Sequence, residues 1–128
     1  MIKYRFDEKN NLIDIDGNDI NWEYVSMKPL LTESFIERYQ DKVDWSNISM
    51  YQHLSESFIE KFQNKVNWDL ISCGQKLSES FIEKYKNNVD WEQISRNQKL
   101  SESFIEKHKY RVNWYYISQH QILSEQFI

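Results

Sequence analysis

The chain has 128 residues, enough for one serial core, and carries 16 basic against 20 acidic side chains, for a net charge of −4 and a pI near 5.4. That balance argues against a nucleic-acid backbone as the direct partner, because such surfaces are basic, and no apolar run approaches the ~20 residues that span a bilayer. The single cysteine, Cys73, excludes an intramolecular disulfide framework and fits a reducing cytoplasm.

The opening MIKYRFDEKNN is too polar for a secretory signal. Within it Ile2, Tyr4 and Phe6 alternate with Lys3 and Arg5, a period of two that predicts a strand. Residues 7–11 read as a turn, and 12–15 can pair back as a second strand. Gly17 and Asn18 mark a turn into the first helix. A two-stranded hairpin is not stable alone, so 1–17 is expected to cap the open end of the helical region.

From residue 20 onward the chain is repetitive. Trp22, Trp45, Trp68, Trp91 and Trp114 stand 23 residues apart, and so do Leu31, Leu54, Leu77, Leu100 and Leu123. A fixed period of this size marks a stacked repeat architecture. The units are 20–42, 43–65, 66–88, 89–111 and a truncated 112–128, together forming a repeat region over 18–128.

Each unit encodes two helix starts. In 43–65, Asp44 is an N-cap before Trp45, and Ser55 is a second one. Val43 with Ile48, and Leu54 with Ile59, stand where hydrophobic staples belong. Glu56 in the first turn and Lys61 near the far end suit the helix dipole. Phe58, Ile59 and Phe62 form one helical stripe, and Trp45 with Ile48 forms another. Helices of about eight residues, roughly 12 Å long, are too short to persist in isolation. Each unit must therefore bury its stripes against its neighbours. The expected fold is mainly α: an α-solenoid of five helical-hairpin repeats with an N-terminal β-hairpin cap.

The pattern V-[DN]-W-x-x-I-S-x(4)-L-S-E-x-F-I-E-K-[YF] resembles short tandem repeats encoded by phages and large DNA viruses. The resemblance covers about 110 residues. It carries no catalytic residues, and it implies a virus-encoded binding protein, such as an inhibitor of a host defence protein, acting in the host cytoplasm.

Candidate chemistry is sparse. The pairs Thr32–Glu33, Ser55–Glu56, Ser78–Glu79, Ser101–Glu102 and Ser124–Glu125 are adjacent on a helix and do not face each other; capping explains them. Asp14, Asp16 and Asp19 begin like a calcium loop, but the twelfth position counted from Asp14 is Val25 rather than glutamate. His53, His108 and His120 fall at three different places in the repeat, without metal-ligand spacing. Cys73 has no adjacent cationic cluster to activate it. The tryptophans, periodic beside a staple, read as core. The chain is therefore expected to be no enzyme and to need no cofactor or metal.

The repeats differ in the turn after the first helix, in the two residues after each tryptophan, and in the segment after the second helix. Such positions line up as stripes along a solenoid. Tyr51, Leu70, Tyr110, Tyr115 and Tyr116 are apolar or aromatic residues there that the frame does not require, and they are the expected anchors for another protein. An alternative is an acidic decoy of nucleic acid, built on ladders of Glu33, Glu56, Glu79, Glu102 and of Glu37, Glu60, Glu83, Glu106. Phe127 and Ile128, at the end of the truncated unit, are expected to bury themselves in a two-fold homodimer or against the partner.

Overall fold

A computed structural model of the chain describes residues 3–29, 31–121 and 123–124. A hairpin of β1 (Tyr4–Phe6) and β2 (Leu12–Asp14), antiparallel with Arg5 opposite Ile13, precedes the helices. Among the described residues the repeats supply first helices α1 (Trp22–Met27), α3 (Trp45–Tyr51), α5 (Trp68–Gly74), α7 (Trp91–Asn97) and α9 (Trp114–His120). The second helices are α2 (Glu33–Arg38), α4 (Glu56–Lys61), α6 (Glu79–Lys84) and α8 (Glu102–Lys107). The fold is the α-solenoid expected from the 23-residue period, with the hairpin covering its first unit. The helices have six or seven residues rather than eight; an extended glutamine ends each first helix from α3 on, and an aromatic residue or His108 ends each second helix.

The predicted caps are in place. Asp44 accepts from the Asn47 amide at 3.1 Å, and Ser55 accepts from the Phe58 amide, also at 3.1 Å. The core runs through the stack as one cluster in which Ile48, Ile59, Ile71, Ile82, Ile94 and Ile105 are wholly buried. Burial of each such side chain contributes about 1.5–3 kcal/mol. Trp22, Trp45, Trp68 and Trp91 are half-buried lids on this core, while Trp114 is exposed. Trp45 lies 5.4 Å from the Phe62 ring, and its indole N–H donates to the Gln40 carbonyl at 2.9 Å. That bond ties each first helix to the turn before it, and it recurs at Trp68, Trp91 and Trp114.

Consecutive first helices pack directly on one another. A serine makes this close approach feasible: Ser26, Ser49, Ser72 and Ser95 are fully buried. Ser72 donates to the Trp68 carbonyl at 2.7 Å and accepts from the Asp90 amide of the next repeat at 3.0 Å. Glutamine completes the joint. The Gln75 side chain donates to the carbonyls of Ser49 (2.9 Å) and Gln52 (2.6 Å) and accepts from the Leu54 amide (3.2 Å). Gln52, Gln98 and Gln121 repeat the arrangement in their own joints. These glutamines belong to the turn that varies between repeats, yet they are frame residues.

The hairpin docks through side-chain hydroxyls. The Tyr39 hydroxyl accepts from the Leu12 amide at 2.9 Å, and Tyr4 accepts from the Asn21 amide at 3.2 Å. Phe6 meets Phe35 edge-on at 6.2 Å.

Candidate interaction surface

The two long faces of the stack differ in what they leave free. On the face of the second helices, polar groups pair between repeats. Glu56 accepts from both the amide (2.7 Å) and the hydroxyl (2.9 Å) of Ser78, the N-cap one repeat on, and Glu33, Glu79 and Glu102 do the same for Ser55, Ser101 and Ser124. The first carboxylate ladder is thus engaged in holding the next cap. In the second ladder Glu37 pairs with Lys61, Glu60 with Lys84 and Glu83 with Lys107. Asp41 pairs with Lys65 at 3.0 Å, and the Arg111 guanidinium reaches the Lys86 carbonyl at 3.3 Å.

These contacts move the titrations. The Lys84 ammonium, by hydrogen bonding, and then the Tyr85 hydroxyl hold Glu60 below the usual carboxylate range. Lys107 does the same to Glu83 against the opposing effect of burial, with His108 adding to it. Glu60 in turn raises Lys84. Burial, then the bond to Glu60, raises Tyr85. His108 takes the place of Tyr85 one repeat on. It is buried between Trp91 and Phe104, with Nε2 2.5 Å from Glu83 Oε2, an ion pair when the imidazole is protonated.

The face of the first helices is different. At its third position in α3, the Asn47 side-chain amide donates to the Glu23 carbonyl of the preceding first helix at 3.2 Å. Its sixth residues reach the next first helix, as Arg96 does, lying 5.4 Å over the Tyr116 ring. Met50 closes on α5 at Gly74, where a Cβ would come within 3.0 Å of the Met50 carbonyl oxygen and 3.5 Å of its sulfur.

Of the expected anchors, Tyr51 (52% exposed) and half-buried Leu70 lie on this face, as do Tyr115 and Tyr116, which meet edge-on at 5.2 Å. The two pairs are separated by α7, where Gln93, Arg96 and Asn97 intervene. Tyr110 is 92% exposed but sits in the turn after α8, away from the others. Three further exposed residues, Tyr24, Met27 and Met50, join Tyr51. Their signal was the helical spacing of third and sixth positions, masked because methionine reads as core filler. Cys73 is half-buried in the last turn of α5. Phe127 and Ile128 lie outside the described residues.

Among the described residues, no group of three or more His, Cys, Asp or Glu side chains is placed to hold a metal ion, and no helix is long and apolar enough to cross a membrane. Asp14 instead makes a local turn, accepting from the Asp16 amide at 2.7 Å. A cleft of about 790 Å³ beside the hairpin is lined by Ile13, Asp19, Trp22, Tyr39 and Lys42, without a nucleophile paired to a base.

Compared with known proteins, the chain matches no family model, no curated protein and no solved structure.

Proposed function

We propose that this protein is a non-enzymatic interaction module that binds another protein through the outer face of its first helices. One observation carries the reading. The second-helix face uses its carboxylates, lysines and cap serines between repeats, whereas the first-helix face leaves Tyr24, Met27, Met50 and Tyr51 exposed. Exposed aromatic and methionine side chains grouped on one face are the usual anchors of an interface.

The resemblance of the repeat to viral sequences supports a narrower form, in which the partner is a host defence protein met in the cytoplasm. The acidic-decoy alternative draws less support. Its first ladder is occupied by caps and its second is neutralised by Lys61, Lys84 and Lys107. A homodimer built on Phe127 and Ile128 is a separate proposal, read by light scattering of the intact chain and of Phe127→Glu.

The test is partner retention from extract of the source cells by the intact chain and by Tyr51→Ser/Tyr115→Ser. Both side chains are exposed, so helix content is expected to stay unchanged while retention falls at least about tenfold, the loss of roughly 1.4 kcal/mol. Equal retention by both proteins would sink the reading.

A further inference from the structure

The first-helix face is not uniform along the stack. Apart from Tyr115 and Tyr116 on α9, its apolar side chains gather on α1, α3 and α5: Tyr24, Met27, Met50 and Tyr51 are exposed, and Leu70 and Cys73 are half-buried. On α7 the equivalent positions are Gln93, Arg96 and Asn97, and the strip ends there. Three helices packed about 8–10 Å apart make it roughly 20 Å long. That is the length of a helix of about 13 residues. Methionine is suited to such a surface, because its unbranched, polarisable side chain adapts to what lies on it.

The two long edges of the strip carry opposite charge. At the N-terminal ends of the helices stand the exposed carboxylates of Glu23 and Asp69. At the turn side stand Lys28, whose ammonium lies 4.8 Å over the Tyr24 ring, and exposed Lys76. Between them α3 carries no charged residue, only Ser46, Asn47, Met50 and Tyr51 on its outer side. An added strand has no purchase here, because strand addition needs a free sheet edge and these backbones are already bonded within helices. A helix needs only side chains.

Resting on the protein-binding reading above, we propose that this strip docks an amphipathic helix of the partner, laid along the stack. Its apolar residues fall at i, i+4, i+7 and i+11. Lysine or arginine lines its flank toward Glu23 and Asp69, and glutamate or aspartate lines its flank toward Lys28 and Lys76. The strip supplies the affinity and the charged edges fix the orientation.

The probe is a displayed library of 16-residue helix-forming peptides, selected on the intact chain. The expected result is enrichment of the apolar spacing with basic residues on one flank and acidic on the other. The synthetic winner should bind Met50→Lys, an exposed-site change monitored by circular dichroism, at least about tenfold more weakly. Selection on Glu23→Lys/Asp69→Lys should replace the basic flank by an acidic one. Winners without the apolar spacing, winners that bind Met50→Lys within twofold, or no winner at all would overturn the strip. Winners indifferent to Met50→Lys but lost on Tyr115→Ser/Tyr116→Ser would overturn it while leaving the protein-binding reading intact.

Discussion

Gln75 has both ends of its amide in use at the joint between two repeats, donating to two carbonyls and accepting from one amide. Gln75→Leu keeps the volume and removes all three bonds. A buried polar group left without a partner costs about 1–3 kcal/mol, so the change should destabilise by about 3 kcal/mol or more. Thermal unfolding should show a midpoint lower by roughly 10 °C; a shift of only a degree or two would mean that the joint does not depend on the glutamine. Ser72→Val tests the same joint by crowding, and should be worse than Ser72→Ala, since the valine both loses the bond to Asp90 and overfills the gap. His108→Tyr runs the other way. It restores the side chain that meets the equivalent carboxylate, Glu60, one repeat earlier. The unfolding midpoint of His108→Tyr should be at least that of the parent chain, and a fall of several degrees would mean that the joint needs the imidazole itself. None of these roles was legible at single positions. Serine and glutamine are mostly exposed residue types, and their buried roles depend on the next repeat.

At the level of the helix, the stitching between second helices sets the response to acid. Glu60 and Glu83 are held below the usual carboxylate range by Lys84 and Lys107. The unfolded chain therefore takes up these protons at higher pH than the folded one. Their contribution is fully present above about pH 4.5 and is lost as pH falls through the lowered folded values. Unfolding midpoints should drop between about pH 5 and about pH 3, and high salt should shrink the drop because the pairs are exposed. A flat profile through that range would show that the lysines do not stabilise the stack. At this scale much was readable in advance. Caps at Asp44 and Ser55, staples around Ile48 and Ile59, and the stripe Phe58–Ile59–Phe62 are local patterns, and the helices form where those patterns stand. Which face stays open was not readable. Glu33, Glu56, Glu79 and Glu102, which align as an acidic ladder in the sequence, turn inward to the next cap, and that choice depends on how repeats stack.

For the molecule as a whole, the glutamine joints made by Gln75, Gln98 and Gln121 are built from bonds at constant offsets, so these units are exchangeable. Deleting 66–88 joins Lys65 to Val89, the same step found at Lys42–Val43 and Lys65–Val66. Gln98 then stands where Gln75 stood, and Ser101 where Ser78 stood. Circular dichroism should give the same helicity per residue, with the unfolding midpoint lower by roughly 10 °C for one lost interface. Loss of helix beyond the deleted unit would mean that the stack is held by something longer-ranged than neighbours.

The same construction governs how the chain bears load. Among the described residues, neighbouring units share no strand ladder and are joined by side chains such as Gln75 and Ser72 that reach across to the adjoining backbone. Tension along the stack would meet these joints in series. Stretched from its ends, the protein should yield one unit at a time at low force and re-dock as the force relaxes. It would behave as a compliant spring whose resting length is counted in units, able to follow the movement of a bound partner without unfolding throughout.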